Sequence, residues 1–192
     1  CMICLPFDTE LFGHWWFEGP TFIEQVLRGI QSSDVLSRTL AHERLRPTAI
    51  AAEIALAESS WGEHNNHDVW MQPQTFWLWE REYALERRIR LLMEKHPRKR
   101  WDETLQRVMK SLLRELLLAQ ASDWPFLITN GTATDYASMR FHNHASDCER
   151  LCTTAERYAT TSALSSDDKT HLDDCETRNS IFNEELTEYI QS

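Results

Sequence analysis

The sequence predicts a mainly α protein, a helical bundle preceded by one β-strand. Three observations carry this. Beyond residue 74, apolar residues recur at the three- and four-residue spacing of an amphipathic helix, over windows too long for strands. Met2 to Pro6 is a short apolar run that opens onto a polar turn at Asp8, the pattern of a buried strand. Start and stop signals at Pro20, Pro47, His96-Pro97 and Thr134 divide what lies between.

The strand, Met2 to Phe7, ends where Asp8 begins a loop. Pro20 suits the first position of a helix through Ile30, since its fixed φ fits and its missing N–H would have no partner there. Phe22, Val26 and Ile30 fall near one face of that helix. Leu36 to Leu45 reads as a short helix stopped by Pro47. Ala49 to Ser60 stays open between helix and extended chain, and a Ser-Trp-Gly loop begins near Glu58. Gln74 to Lys95 is a long helix, with Leu85, Ile89 and Leu92 on one stripe and Phe76, Trp79 and Tyr83 on another. Asp102 to Gln120 repeats Leu105, Val108, Leu112 and Leu116, flanked by Met109, Leu113 and Leu117, a stripe wide enough to be gripped on two sides. Thr134 can cap a helix running to about Tyr158, buried through Met139, Cys148, Leu151 and Ala155. Thr160 to Asp168 is polar and expected to be a mobile linker. Trp77, Trp79 and Trp101, lying on helices, are assigned to the core.

A chain of 192 residues can bury a sizeable core. Its net charge of -10 argues against nucleic acid as a partner, because phosphates demand basic patches. Much of that charge is local: Asp167, Asp168, Asp173, Asp174, Glu176, Glu184, Glu185 and Glu188 face only Lys169 and Arg178 in the tail, which reads as a solvated helix face. No apolar run approaches the roughly 20 residues of a bilayer span, so no membrane partner is expected. Cys1, Cys4, Cys148, Cys152 and Cys175 show no disulfide-framework spacing, which fits a reducing, cytoplasmic compartment. Cys148 and Cys152 stand one helical turn apart without a second ligand pair and read as buried thiols. No metal and no cofactor is expected.

The most informative stretch is Phe7 to Gly19, where three carboxylates, a histidine, two tryptophans and three phenylalanines crowd a strand-to-loop boundary. A rigid strand end holds an acid in place while the loop opens to substrate. Indoles can stack on the C–H faces of a sugar ring while acids handle its hydroxyls and glycosidic oxygen. The same residues are compatible with an aromatic core segment closed by a glycine turn.

Asp8 to Gly19 resembles the fourth signature region of glycoside hydrolase family 57, most closely that of its 1,4-α-glucan branching enzymes. Ser59-Ser60-Trp61-Gly62-Glu63, with Trp70 nine residues beyond Trp61, resembles the fifth region. Glu115-Leu116-Leu117-Leu118-Ala119-Gln120-Ala121-Ser122-Asp123-Trp124-Pro125-Phe126 is similar to the branching enzymes' helical-domain signature. The three follow one another in the family's order. The resemblance implies that residues 1–33 are the end of a catalytic (β/α) barrel, with its last strand, acid/base loop and following helix. Residues 34–73 are then a connection with an aromatic substrate loop, and 74–192 a C-terminal helical domain. Because the chain opens on Cys1 and is at once inside that strand, it is expected to be the C-terminal part of a longer protein whose barrel, with the nucleophilic Glu, lies upstream.

The resemblance makes Asp8 the general acid/base of a retaining reaction on an α-1,4-glucan, transferring segments to 6-hydroxyls. A retaining pair sits about 5 to 5.5 Å apart on opposite sides of the anomeric centre. Burial against Phe7, Phe12 or the tryptophans would raise the Asp8 pKa as the cycle requires. Glu10, two residues on, would point to the other side if the strand persists. His14 is a candidate donor to a sugar hydroxyl, or a histidine that holds the loop. Trp61 has no helical or strand stripe to belong to, and Gly62, Asn65 and Asn66 mark an exposed turn around it. By the resemblance Trp61 and Trp70 flank the active-site entrance, and Asp123 binds glucose hydroxyls. Taken alone, Asp123 is an N-cap, and Pro125 should hold Trp124 extended.

The loop departs from the family where Glu63-His64-Asn65-Asn66-His67-Asp68 replaces the usual glycines. Its two histidines and two acids lack a third long-range metal ligand, so it reads as a polar loop. The chain by itself is expected to be inactive, since the nucleophile is missing. Alternative readings are a fragment of a family 57 α-amylase or 4-α-glucanotransferase, and a non-catalytic helical carbohydrate-binding or structural module.

Overall fold

The computed structural model describes residues 3–13, 16–44, 55–182 and 186. They fall into two compact units, Cys1–Leu56 and Ala57–Ser192. The mainly helical class holds, and among the described residues there is no strand. A strand exists only against a partner backbone. Ile3 to Asp8 has none among the described residues, and Ile3 and Leu5 stand 75% and 73% exposed.

In the first unit a 3-10 turn, Thr9–Phe12, leads to helix α1, Gly19–Gln31, with Pro20 in its first turn as anticipated. The entry to α1 is tightly built. A Cβ on Gly19 would lie 3.1 Å from the Phe12 Cα and 3.4 Å from the Trp16 Cβ, so a side chain there would push the loop back by a few tenths of an ångström. The helix foreseen over Leu36 to Leu45 shrinks to a four-residue turn, α2, Ala41–Arg44. Ser33 Oγ accepts the Val35 and Leu36 N–H groups at 3.1 and 3.0 Å, a local bond that competes with helix formation. Leu45 and Pro47, like 49–54 of the ambiguous segment, lie outside the described residues.

The second unit is the bundle. Helix α3, Phe76–Lys95, ends at His96-Pro97, and α4, Glu103–Ala119, starts at Asp102, whose carboxylate accepts the Leu105 N–H at 2.8 Å. Helices α5, Asp123–Asn130, α6, Thr134–Thr161, and α7, Ser166–Arg178, follow. Helix α6 is the hub, packed against α3, α4, α5 and α7. The core is continuous through Leu85, Ile89 and Leu92 of α3, Val108 and Leu112 of α4, and Phe141, Cys148, Leu151 and Cys152 of α6. The two thiols one turn apart are indeed buried.

Two expectations for this region are corrected. Met139 is 50% exposed, and Ala137 is buried instead. At about 100° per residue, position 139 lies half a turn from Cys148 whereas 137 lies almost above it. The stretch Thr160 to Asp168 is not a free linker. Ser162 stops α6 at φ 53, and Ser165 with Asp168 forms a capping box that starts α7. Asp168 is buried, bonded to Thr154 at 3.1 Å and paired with Arg157. Burial pushes its carboxyl up, but the hydrogen bonds from Ser165, Arg157 and Thr154 win and hold it below the usual carboxylate range. The acids of α7 also find cations on other helices: Asp173 and Glu176 pair with Arg107, and Asp167 with Arg150.

A buried polar chain crosses the bundle. Glu115 accepts from Asn179 at 2.6 Å and lies 2.7 Å from His144 Nδ1, while Arg140 lies 2.9 Å from His144 Nε2. A guanidinium only donates, so Nε2 is the acceptor and the ring proton sits on Nδ1, facing Glu115. The Glu115 and His144 side chains are 1% and 2% exposed, where each charge or dipole left unpaired would cost several kcal/mol on the order given by burial.

Candidate functional site

The sequence-chosen residues fall in both units. In the first, Asp8 precedes the 3-10 turn with extended backbone at φ -63, ψ 127, and its carbonyl accepts the Leu11 N–H at 3.2 Å. Its side chain makes no capping bond and is exposed, so the burial anticipated against Phe7, Phe12 or the tryptophans is not found. Those rings pack on one another instead. Phe7 meets Phe12 edge-on at 5.6 Å, Phe12 lies 5.7 Å from Trp16, and Trp16 lies 4.7 Å from Phe22 on α1. The aromatic row fixes the turn that follows Asp8 to the start of α1 and leaves the carboxylate on the open side. His14 and Trp15 lie outside the described residues.

In the second unit the aromatic loop is closed on itself. Ser60 N–H donates to the Asn65 carbonyl at 3.2 Å, the Ser60 hydroxyl donates to the Asn66 carbonyl, and Gly62 N–H donates back to Ser60 Oγ at 3.0 Å. His64 and Asn65 both take left-handed backbone, φ 63 and 56. The Asn66 side chain forms an Asx turn with Asp68 N–H at 3.1 Å. A loop so cross-linked can hold a large apolar side chain in water. Trp61 does project, 75% exposed.

Trp70 behaves differently. Its ring lies across Gly62, where an added Cβ would meet Trp70 and Val69 at 2.9 Å, and it is half-buried. Its carbonyl accepts Thr75 Oγ1–H at 2.9 Å and Trp79 Nε1–H at 2.8 Å. Thr129 of α5 donates to the Val69 carbonyl at 2.7 Å and accepts from Gln72 at 2.8 Å. Thr75, Trp79 and Thr129 therefore staple the loop to the bundle. Sequence reading missed this, for Thr129 lies 60 residues from Val69 and no local spacing marks it. Trp101 is buried and Trp77 packs edge-on against Phe141 at 5.2 Å, as assigned, while Trp79 serves the staple.

Asp123 opens α5 and is exposed. It is not the cap, since Ser122 holds that position, and Trp124 is helical rather than extended. Pro125 sits in the first turn, where no carbonyl awaits its N–H, and Trp124 is anchored by donating Nε1–H to the Leu118 carbonyl at 2.8 Å. Thr129 lies six residues along the helix, or about 9 Å, from Asp123, so one short helix carries both the carboxylate and the staple of the Trp61 loop. His67 and His64 pair separately with Glu58 at 3.3 Å and Glu63 at 3.7 Å, and their donors do not converge.

Residues 82–188 match the family described as 1,4-alpha-glucan branching enzyme, C-terminal. A 1,4-alpha-glucan branching enzyme of Thermococcus kodakarensis is 40% identical over 157 residues, 82% of this chain and 23% of the relative. The crystal structure of a GH57-type branching enzyme from Pyrococcus horikoshii superposes with a TM-score of 0.79 at 37% identity, covering 92% of this chain and 32% of that one. That of the alpha-amylase AmyC from Thermotoga maritima gives 0.59 at 31% identity, covering 93% and 31%. The chain thus spans about a quarter to a third of the length of the relatives it matches.

Proposed function

The chain belongs to the family of 1,4-alpha-glucan branching enzyme C-terminal domains, and from that premise we propose that it carries the acid/base loop and the aromatic wall of an α-1,4-glucan branching enzyme. The observation that carries the reading is Trp61: a tryptophan 75% exposed on a cross-linked loop has a binding surface and no packing role. In this reading a carboxylate nucleophile of the parent's barrel attacks the anomeric carbon while Asp8 protonates the departing glycosidic oxygen. The ionised Asp8 then takes the proton of an incoming 6-hydroxyl, which displaces the nucleophile and forms the branch. The reading is supported by the Phe7, Phe12 and Trp16 row, which holds the turn after Asp8 while the carboxylate stays exposed. Trp61 stacks on a glucose, Trp70 helps keep water from the glycosyl-enzyme, Asp123 bonds glucose hydroxyls, and His14 is a donor to another. By itself the 192-residue chain would make no branch points, because this assignment leaves the nucleophile elsewhere in the parent.

A second reading rests on the likeness to AmyC: the same acid/base with water as acceptor, giving hydrolysis. A reducing, cytoplasmic setting suits either, supported by the buried free thiols of Cys148, Cys152 and Cys175. The test is made in the full-length parent. Asp8→Asn should lower turnover by roughly 10² to 10⁴ with glucan binding retained. Near-normal turnover in that variant refutes the acid/base role, and products of the unaltered enzyme lacking α-1,6 linkages refute branching in favour of hydrolysis.

A further inference from the structure

Helices α6 and α7 bring three metal-type donors together. His171 and Cys175, at i and i+4, share one face of α7, and Asp147 meets them from α6. Their ligand atoms all lie within 4.8 Å of one another. His171 Nε2 is 2.8 Å from Asp147 Oδ1 and 3.5 Å from Cys175 Sγ. His171 is 8% exposed and Cys175 is fully buried.

As a hydrogen-bond network the cluster is incomplete. One imidazole nitrogen faces both a carboxylate and a sulfur. If it carries a proton it serves Asp147 and cannot accept from the thiol; if it does not, its lone pair faces the carboxylate. The other ring nitrogen, Nδ1, is buried with no partner. A cation at the centre resolves the first conflict, because nitrogen, oxygen and sulfur then all point lone pairs at it. The His171 to Cys175 separation fits: tetrahedral zinc with bonds near 2.0 Å to nitrogen and 2.3 Å to sulfur sets those two ligands about 3.5 Å apart. The Nε2 to Oδ1 separation needs to open by only about half an ångström from its hydrogen-bonded value. Arg178 donates to Asp147 Oδ2 at 2.9 Å and lies 3.6 Å from Cys175 Sγ. It thus holds Oδ2 and leaves Oδ1 turned toward His171, as outer-shell donors do, and balances part of the charge of Asp147 and a Cys175 thiolate.

We propose that Asp147, His171 and Cys175 form a zinc site, with water in the fourth position, that clamps α7 onto α6. On binding, the Zn–S bond forms as the Cys175 thiol releases its proton to solvent, with no change of oxidation state. The test uses the chelator-stripped 192-residue chain, titrated first with Co²⁺ as a spectroscopic probe and then with Zn²⁺. One equivalent should produce a thiolate-to-cobalt charge-transfer band that zinc abolishes, and zinc should raise the melting temperature. Cys175→Ser, a near-isosteric change, should erase the band and weaken zinc binding by more than the roughly 10- to 100-fold that losing an outer-shell partner costs. Cys4→Ser, outside the cluster, should leave both intact. Circular dichroism checks that each variant is folded. The absence of a band in the unaltered chain overturns the proposal, as does a band that survives Cys175→Ser, which would place the metal on other thiols. A melting temperature indifferent to zinc overturns the clamp.

Discussion

Helices α1 and α4 are both amphipathic along their length, yet only α4 hides its apolar face. Val108 and Leu112 of α4 are fully buried, whereas Phe22, Val26 and Leu27 of α1 are 40%, 37% and 39% exposed in the described residues. Periodicity states that a helix has an apolar side; it does not state what covers it. The stripe of α4 lies against α6, and the bundle's stability resides there. The first unit is held at a different place, the aromatic row from Phe7 to Phe22 and the close contact at Gly19. The bundle therefore has a load-carrying core, and the Asp8 unit has an organised loop.

Leu112→Ala would break this contrast most severely. Emptying a fully buried position in the α4 to α6 seam should cost about 2 to 5 kcal/mol, read as a lower urea midpoint with the slope unchanged. A loss under about 1 kcal/mol would move the core elsewhere.

Next in size is Glu82 of α3, a buried acid whose pKa is raised to about 7 by burial and then by Glu86. An unfolded glutamate ionises near 4.3. Between that value and about 7 the folded chain keeps a proton that the unfolded chain has lost, so stability falls as pH rises through this window. Glu82→Gln removes the penalty. Its advantage in unfolding free energy should be small at pH 4 and grow to as much as about 3 kcal/mol at pH 8. A pH-independent difference between the two chains would refute a neutral Glu82.

Smaller effects separate the two tryptophans of the loop in the full-length parent. Trp61→Ala should weaken glucan binding up to tenfold, on the order of 1 kcal/mol, without moving the melting temperature. Trp70→Ala should shift products toward free reducing ends and, with its ring lifted from Gly62, lower the melting temperature as well. A drop of about 3 to 5 kcal/mol in stability from Trp61→Ala would return that residue to the core. The smallest effect is expected on α1, where Val26→Ser should change the stability of the 192-residue chain by less than about 0.5 kcal/mol. A larger loss there would mean that α1 is as well covered as α4.

Local chemistry was legible. Pro20 and His96-Pro97 mark real helix ends, and the Leu85, Ile89 and Leu92 stripe of α3 and the Leu105, Val108, Leu112 and Leu116 stripe of α4 are buried, whereas Phe76 and Tyr83 of the second α3 stripe are exposed. The loop around Trp61 could be recognised because its glycine and asparagines leave a tryptophan no regular face. Two of the differences share one cause. Asp168 reads as part of a linker because its partners, Thr154 and Arg157, belong to another helix, and the acids of α7 read as unpaired because Arg107 and Arg150 lie outside the tail. Met139 has a local reason instead: nine residues from Cys148, it lies half a turn round the helix from that buried thiol.

The sequence by itself determined the extents of α1, α3 and α4, the buried stripes of α3 and α4, and where an acid and an exposed indole sit in loops. These depend on φ preferences, capping and the 3.6-residue repeat, all properties of neighbours in the chain. Only the tertiary structure decided which stripe is covered, that Thr129 holds the Trp61 loop, and that Asp147 meets His171 and Cys175. Those contacts join residues 24 to 60 positions apart, and a contact between distant residues is set by how helices pack, which leaves no period in a single chain to read.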